Sequence, residues 1–287
     1  MIDNLELYIV GGYVRDKLLG IESNDIDIVL VPKSNVNLEF EKAINYFLKQ
    51  GYELIFKSLF FTAKFRKDNL ILDLTVARKE NYEYNGALPK VEITGSLYED
   101  LKRRDFTINA IAMDFKGNII DIFNGIEHLR KRILIPINSF LDDPTRIFRA
   151  IKYAKKYNLT YTRKLINQIS RARRHLKNVS FSRKRKELGL ISIEKDRVYM
   201  WMDILKFRIF PNLSFKNIVF EIDKIIPYTE GSWVLFYIAF LDYAISLAHI
   251  TKLEREIIET FRTKRVLNKK NETYETAKYI LKLRGLL

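Results

Sequence analysis

The hydrophobic pattern of this 287-residue chain changes character once, and that change limits the folds open to it. In the first part, short apolar runs such as Leu7–Val10, Ile26–Val31 and Leu70–Val76 alternate with polar turns, as β-strands do. From Asp142 onward the apolar residues recur at helical spacing. The sequence therefore predicts a head of mixed α and β structure and an all-α remainder, with a domain boundary near Ser139.

The same pattern predicts the other elements of the head. Further strands are expected at Tyr52–Lys57 and Thr62–Arg66, and helices at Tyr13–Leu19, Leu38–Lys49 and Glu99–Ala112. A hairpin is expected around Gly117. The stretch from Asn81 to Leu97 contains glycine and proline and is predicted to be a mobile loop.

Charge and composition narrow the class of partner. Lys and Arg outnumber Asp and Glu by 50 to 35, so nucleic acid is the first expected partner and an anionic membrane surface the second. The absence of cysteine excludes disulfides and Cys-ligated zinc, and three scattered histidines argue against a His-rich metal site. The apolar run Trp233–Ile250 contains Asp242, which favours a buried helix over a membrane span. With no signal-peptide pattern, we expect a cytoplasmic protein without membrane contact.

Two aspartates, Asp25 and Asp27, stand two residues apart on a predicted strand, shortly after the segment Gly11–Asp16, which reads GGYVRD. Alternation places both carboxylates on one face, where they repel each other unless a cation compensates. Mg²⁺ suits such oxygen ligands and also binds phosphates. The diglycine turn allows close backbone approach to a phosphate, and Arg15 adds a cation. A D-x-D pair alone also fits two surface aspartates on an edge strand, but the preceding GGYVRD favours a metal site.

A third carboxylate, Asp73, lies in the otherwise apolar run Leu70–Val76. A charge on such a strand needs a partner. One interpretation is an edge strand with Asp73 facing water. The other is that Asp73 helps to bind metal or to orient an attacking hydroxyl, because two metals held by three carboxylates can drive phosphoryl transfer.

Four motifs follow one another along the chain: GGYVRDKLLG (11–20) with DID (25–27), DLKRRDFTINA (100–110), DIFNGIEHL (121–129) and DDPTRIFRA (142–150). In this order they resemble the motifs of class II tRNA nucleotidyltransferases and bacterial poly(A) polymerases, the third being a hinge motif and the fourth a nucleotide-selecting motif. The resemblance covers residues 7–190. It implies an α+β head with a polymerase-β-like nucleotidyltransferase mixed sheet (1–138), a helical nucleotide-selecting and RNA-contacting neck (139–190), and an all-α, tRNA-binding body and tail (191–287).

The resemblance also implies an activity and a role for each matching residue. The activity is template-independent addition of C and/or A, from CTP and ATP, to the 3′ end of tRNA, with release of pyrophosphate; no protein partner is predicted. Asp25 and Asp27 would hold Mg²⁺, with Asp73 as the third catalytic carboxylate. The residues implied to bind the incoming nucleotide are Gly11, Gly12, Arg15, Arg103, Arg104, Asp105, Asn109, Asp143, Arg146, Arg149 and Lys152. On the pattern alone, Arg103–Asp105 would fit a solvated helix face.

Asp143 and Arg146 are the pair implied to read the base edge. An Asp only accepts hydrogen bonds and an Arg only donates them, and a spacing of three places them on one helix face. Together they suit the amine and ring nitrogen of cytosine and adenine, whereas uracil and guanine offer a carbonyl in place of the amine. Without the resemblance, a helix-surface ion pair explains the same two residues.

Between Arg146 and Lys186 the chain has fifteen Lys or Arg and no Asp or Glu. Such a block can be a solvated face, but its apolar spacing favours folded helices that contact RNA phosphates. The residues predicted to bind RNA are Arg171, Arg173, Arg174, Lys177, Arg183, Lys184 and Arg185.

Two positions depart from the family's pattern. Ser182 replaces the first Glu of a Ser-x-Glu-Arg-x-x-x-Glu-Leu pattern, and Lys152 stands where Arg is common, losing bidentate geometry. The nucleotides added are therefore left open: the full CCA, CC only or A only. A poly(A) polymerase and a non-catalytic RNA-binding protein on the same scaffold remain alternatives.

Overall fold

The computed structural model describes residues 5–210, 223, 224, 226, 228 and 230–232. The predicted helix Trp233–Ile250 lies outside the described residues. Contacts separate the described residues into two compact units: one runs up to Asp142 and includes Thr160–Leu165, and the other contains the rest from Asp143 onward. The division into head, neck, body and tail remains a prediction.

The secondary structure alternates in the first unit and is mainly helical afterwards. The strands are β1 (Glu6–Val10), β2 (Asp25–Val31), β3 (Glu53–Lys57), β4 (Thr62–Lys67), β5 (Leu70–Val76), β6 (Arg78–Asn81), β7 (Lys90–Ile93), β8 (Ala112–Met113), β9 (Ile119–Ile120), β10 (Ile133–Leu134) and β11 (Thr160–Tyr161). The α-helices are α1 (Gly12–Leu18), α2 (Val36–Lys49), α3 (Leu97–Lys102), α4 (Gly125–Arg130), α5 (Arg146–Lys156), α6 (Arg163–Ala172), α7 (Phe181–Ser192) and α8 (Arg197–Lys206). Short 3₁₀ helices cover Thr107–Asn109, Arg173–Asn178 and Glu230–Ser232.

A seven-stranded sheet in the order β3-β4-β5-β2-β1-β8-β9 forms the centre of the first unit. Strands β2 and β5 are parallel, and the other neighbouring pairs are antiparallel. The mixed sheet implied by the resemblance is therefore present. The hairpin expected around Gly117 is also present, as β8 and β9.

The two faces of the sheet follow the two-residue period of its strands. Ile28 and Leu30 of β2 pack with Phe40 and Phe47 of α2 on one face, and Val29 lies in a second apolar cluster on the other. Helix α2 begins where the Asn35 side chain accepts a hydrogen bond from the Leu38 N–H, 3.1 Å away. The same alternation places Asp25 and Asp27 with Val29, on the face opposite α2.

The helix predicted over Glu99–Ala112 is wrong, because α3 ends at Lys102 and a 3₁₀ turn and β8 follow. Asp105 explains the break: its carboxylate accepts from the Phe106 N–H at 2.8 Å and from the Asn109 amide at 2.9 Å. Such local bonds compete with the helical backbone ladder. The Thr107 N–H donates to the Ile135 carbonyl instead of to a helical turn.

The loop predicted from Asn81 to Leu97 is wrong in part, since Asn81 ends β6 and Lys90–Ile93 forms β7, and the two strands pair as a hairpin around residues 82–89. Gly86 takes a left-handed φ of 87°, and its N–H donates to the Asp142 carbonyl at 3.2 Å. The remainder expected to be all-α also contains β11, which pairs with β10. A two-residue strand leaves too short a period-two signal to be read from sequence.

A buried arginine anchors the second unit. The Arg197 side chain has no exposed surface, and its Nε donates to Asp223 Oδ1 at 2.7 Å and its Nη1 to the Ser192 carbonyl at 3.0 Å. The guanidinium carbon lies 3.6 Å from the ring centre of Tyr228. Arg197 therefore connects α7 and α8 to the segment after them.

Arg197→Met is expected to lower the free energy of unfolding by about 3 kcal/mol, because it leaves the Asp223 carboxylate without its buried cation. Arg130→Met is the matched control, since Arg130 is 73% exposed and pairs with Glu127 on the surface, where solvent screens the interaction. Urea denaturation followed by circular dichroism measures both variants. Equal losses would show that Arg197 is no anchor.

Candidate nucleotidyl-transfer site

Three carboxylates share one face of the sheet. Asp25 and Asp27 are the first and third residues of β2, and Asp27 lies directly opposite Asp73 of the parallel strand β5. Residues that are directly opposite in register point to the same side of a sheet. The structure thus brings together the three acidic residues singled out from the sequence.

The diglycine turn lies against Asp27. Val10 pairs with Asp27, and Gly11 follows with a φ of 75°. A Cβ on Gly11 would lie 2.7 Å from Arg104 Nη1 and 3.5 Å from Asp27 Oδ2. Only glycine therefore allows the backbone to approach this carboxylate and this guanidinium so closely. Gly12 begins α1, which directly follows the turn.

Asp100, which the sequence did not single out, holds the two arginines of the second motif. Its side chain is fully buried and accepts from Arg103 Nε at 3.0 Å and from Arg104 Nη2 at 3.2 Å. Burial would raise the pKa of Asp100, but the two guanidinium groups outweigh it and the pKa is lowered. The spacings i,i+3 and i,i+4 to the two arginines were the signal that could have found it. Arg103 also donates to Glu80 at 2.9 Å.

Arg15, Asn109 and Asp105 form one hydrogen-bonded chain. Arg15 Nη1 donates to Asn109 Oδ1, and Asn109 Nδ2 donates to Asp105 Oδ1 at 2.9 Å. Arg15 also pairs with Asp16 at 2.8 Å and is only 5% exposed. Three residues predicted to contact the nucleotide thus lie together, with Arg15 facing protein groups and holding Asn109.

The electrostatics of Asp27 suit a bound cation. Desolvation raises the pKa of Asp27, Arg104 opposes that rise, and the neighbouring charges of Asp73 and Asp25 add to it. A divalent cation would offset both the desolvation and the repulsion. Among the described residues no group of three or more His, Cys, Asp or Glu is assembled at metal-binding distance, and Asp73 Oδ2 instead accepts from Lys64 Nζ at 2.8 Å. Two carboxylates completed by water or phosphate oxygens are the donor set that Mg²⁺ commonly uses.

The second unit contains Asp143, Arg146 and Arg149 of the motif predicted to select the nucleotide. Asp143 Oδ1 accepts from the Thr145 N–H at 3.0 Å and from Arg183 Nη2 at 2.9 Å, and Oδ2 accepts from Arg149 Nη2 at 2.7 Å. Burial acts to raise the pKa of Asp143, but Arg149, Thr145, Arg183 and Arg146 together lower it.

The pairing of Asp143 differs from the prediction in two respects. Asp143 was expected to share a helix face with Arg146, but α5 begins at Arg146, so Asp143 precedes the helix and its carbonyl accepts a hydrogen bond from the Arg146 N–H at 3.1 Å. Arg183 was expected to bind RNA. The structure places it with Thr145 and Arg149 around the Asp143 carboxylate, a group called here the Asp143 cluster, because α7 brings it there from forty residues away. Its contact with RNA stays a prediction.

Lys152 and Arg149 flank Glu187 of α7. Arg149 Nε lies 3.8 Å from Glu187 Oε1, and Glu187 is also the acid with the largest effect on the pKa of Lys152. Desolvation lowers the pKa of Lys152, and Glu187 partly offsets that effect. Glu187 is a further residue of this cluster that the sequence reading did not assign.

The residues predicted to bind RNA divide into two groups. Arg171, Arg174 and Lys177 are exposed. Arg173 and Lys184 are half-buried and donate to backbone carbonyls, at 2.9 Å to Phe207 and at 3.3 Å to Leu176. The remaining two residues of the predicted set, Arg183 and Arg185, are also half-buried.

Within the part of the chain that the structure describes, no helix has both the length and the apolar character needed to cross a membrane.

A mixed sheet that carries three carboxylates on one face, beside a diglycine turn and anchored arginines, defines a nucleotidyltransferase head. Comparison with known proteins agrees, since residues 7–135 match the family described as the Poly A polymerase head domain. The head of this chain therefore belongs to the family of class II tRNA nucleotidyltransferases and poly(A) polymerases, which is generally metal-dependent. The resemblance and fold class read from the four motifs are confirmed.

Individual relatives show how far the similarity extends. An A-adding tRNA nucleotidyltransferase of Aquifex aeolicus is 42% identical over 57% of this chain and 20% of its own length. A CCA-adding enzyme of Lactococcus lactis is 30% identical over 79% of this chain and 58% of its own length. A crystal structure of a tRNA nucleotidyltransferase complexed with a primer tRNA and an incoming ATP analog superposes with a TM-score of 0.70 at 25% identity, covering 100% of this chain and 92% of that one. The chain thus spans less than two thirds of either curated relative.

In metal-free solution, Asp27→Asn is expected to raise the free energy of unfolding at neutral pH. The pKa of Asp27 is raised in the folded state, so the folded protein holds this proton more tightly than the unfolded chain does. The wild type therefore loses stability relative to the variant as the pH rises through that pKa, and the difference should shrink at low pH.

Urea denaturation in EDTA across pH tests this expectation. Asp68→Asn, in an exposed turn with a φ of 52° that both residue types tolerate, is the control and should show no such gain. An Asp27→Asn variant that is less stable than the wild type at neutral pH would contradict the raised pKa that desolvation and the neighbouring acids give Asp27.

Proposed function

We propose that this chain is a tRNA nucleotidyltransferase that adds C, A or both, from CTP and ATP, to the 3′ end of tRNA without a template and releases pyrophosphate. The observation that carries the proposal is the placement of Asp25, Asp27 and Asp73 on one face of the sheet beside the Gly11 turn. The tRNA and nucleotide named for the related crystal structure support this choice of substrates.

Asp25 and Asp27 would hold Mg²⁺, with Asp73 holding metal or orienting the 3′-hydroxyl. The chemistry that bound Mg²⁺ supplies is charge neutralisation at the phosphates and activation of the hydroxyl. The residues of the chain contribute by holding the triphosphate and the attacking hydroxyl in position. The Gly11 backbone and Arg104 adjoin Asp27 and are suited to contact the triphosphate.

The second motif and Arg15 would fix the ribose and phosphates of the incoming nucleotide. Buried Asp100 holds the guanidinium groups of Arg103 and Arg104 before any ligand arrives. Donors fixed in advance lose less entropy on binding and stabilise developing charge at no cost of reorganisation. The chain from Arg15 through Asn109 to Asp105 does the same for polar groups that suit ribose hydroxyls.

Asp143 would accept the exocyclic amine that cytosine and adenine share. A carboxylate oxygen has two lone pairs. Among the described residues Arg149 is the donor to Oδ2, whereas Oδ1 already has Thr145 and Arg183. Oδ2 therefore keeps capacity for one more donor. Arg146, whose side chain is 3% exposed, would complete the base edge as the donor to a ring nitrogen.

The exposed cations Arg171, Arg174 and Lys177 would neutralise phosphates of the tRNA. Addition of the terminal A alone is the second candidate, because the 42% identical relative from Aquifex aeolicus is named an A-adding enzyme.

The test is an incorporation assay with Mg²⁺ and labelled CTP or ATP, on tRNAs that end before the first C, after one C and after two Cs. Full CCA activity extends all three, whereas an A-adding enzyme extends only the last, and with ATP. Asp27→Asn should lose more than about 100-fold in rate while still binding tRNA. Mutating residues that merely hydrogen-bond to metal ligands already lowers activity by up to about 100-fold, and Asp27 is proposed to be a ligand itself. No incorporation by the wild type on any tRNA would refute the enzymatic function.

Asp143→Ala is expected to weaken discrimination against UTP and GTP by about 100-fold, because hydrogen-bonding sites owe their selectivity to the groups left unpaired by the wrong substrate. Glu194→Ala is the control, since Glu194 also pairs with a cation of α5, Lys156 at 2.9 Å, but lies outside the Asp143 cluster. Competition assays with mixed nucleotides measure both. Unchanged selectivity in Asp143→Ala would exclude Asp143 from base reading.

A further inference from the structure

A row of directly opposite residues crosses four strands on the carboxylate face of the sheet. Phe56 of β3 lies opposite Lys64 of β4, Lys64 lies opposite Asp73 of β5, and Asp73 lies opposite Asp27 of β2. Directly opposite residues share a face, so the side chains stand side by side at strand spacings of about 4.8 Å. The row that begins with the carboxylates of Asp27 and Asp73 thus continues with Lys64 and Phe56 to the edge of the sheet.

The two sides of Asp27 differ in chemistry. On the β1 side, the Gly11 backbone and Arg104 adjoin its carboxylate and suit a triphosphate. On the β5 side stand Asp73, Lys64 and Phe56. In-line phosphoryl transfer requires the attacking oxygen and the leaving group on opposite sides of the reacting phosphorus. If the triphosphate lies on the β1 side, the RNA strand whose 3′-hydroxyl attacks must lie on the side of Lys64 and Phe56.

Lys64 and Phe56 have the exposure and chemistry to contact a single strand. The Lys64 side chain is 43% exposed, and its ammonium has three donors, for which the described residues offer one acceptor, Asp73 at 2.8 Å. Phe56 is 54% exposed on the edge strand of the sheet. A phosphate beside the ammonium and a base on the ring are how proteins hold single-stranded RNA.

We propose that Lys64 and Phe56 form a subsite for the 3′-terminal segment of the RNA strand, with Lys64 at a backbone phosphate and Phe56 stacked on a base. This inference rests on the proposed function and assigns where the growing end lies in that site. Both act as positioning residues, which hold the strand so that its 3′-hydroxyl reaches Asp73 and Asp27.

The test measures binding of the full chain to two labelled RNA hairpins by fluorescence anisotropy, in EDTA and without nucleotide. One hairpin carries a short single-stranded 3′ overhang and the other is blunt. Lys64→Met and Phe56→Ala should each weaken binding of the overhang hairpin by about fivefold to tenfold and leave the blunt hairpin unchanged. Lys64→Met should also reduce the slope of log K against log salt by about 0.7.

Two variants in the same hairpin serve as matched controls. Lys57 is 42% exposed and lies opposite Ala63, which faces the α2 side of the sheet, so Lys57→Met removes an equally exposed cation outside the row. Phe60→Ala removes an 87% exposed ring from the turn between β3 and β4. Both should bind the overhang hairpin like the wild type, and Lys64→Arg should restore most of the loss.

The subsite is refuted if Lys64→Met and Phe56→Ala bind the overhang hairpin normally, or if the blunt hairpin or the controls lose as much. In the incorporation assay, both variants should raise the KM for RNA and leave that for the nucleotide unchanged. If the wild type incorporates nucleotide but both variants bind the overhang hairpin normally, the subsite is refuted and the enzymatic function stands. If the wild type incorporates nothing but both variants lose binding of the overhang hairpin, the enzymatic function is refuted and the RNA site stands.

Discussion

Asp27 and Asp73 lie directly opposite each other because β2 and β5 are parallel and in register, and this pairing assembles the site. Shifting either strand by one residue would turn one carboxylate to the α2 face, into the apolar cluster around Ile28 and Leu74. The hydrophobic alternation that secures the core thus also secures the register of the acids. The repulsion between Asp27 and Asp73 is therefore a consequence of the register that the core packing fixes.

Each unit uses a buried acid to fix two arginines. Asp100 holds Arg103 and Arg104 in the first unit, and Asp143 holds Arg149 and Arg183 in the second. In both, the guanidinium groups outweigh the effect of burial and lower the pKa of the acid. Such pairs are costly to bury, and their benefit is geometry: a donor already held in place binds an anion or a base edge without first losing its freedom.

Local patterns in the sequence were sufficient for strands β1 to β5 and for the acids on them. The strand Leu70–Val76 has the predicted bounds, and β2 begins one residue before the predicted strand, at Asp25. Strand alternation then predicted correctly that Asp25 and Asp27 share a face. The helix expected over Glu99–Ala112 failed because side-chain bonds from Asp105 compete with the helical ladder, and helical periodicity does not detect such competition.

Sequence periodicity could not predict contacts between residues that are far apart in the chain. The contact of Arg183 with Asp143 depends on how α7 packs, and a run of basic residues gives no sign that one of them turns inward. Lys64 is a similar case, since its importance arises only from the register that brings it opposite Asp73. Sequence periodicity assigns a residue to a face, but the neighbour on that face is set by tertiary pairing.

Substitutions in the two clusters should have different effects on activity. The carboxylate row and the Asp143 cluster belong to different units and use different chemistry. Under the proposed function, substitutions in the row would alter charge neutralisation and the placement of the RNA strand, which the addition of every nucleotide requires. Substitutions around Asp143 would alter the donors and acceptors that distinguish cytosine and adenine from uracil and guanine. Loss of rate for every nucleotide should therefore follow from substitutions in the first unit, and loss of selectivity from substitutions around Asp143 in the second.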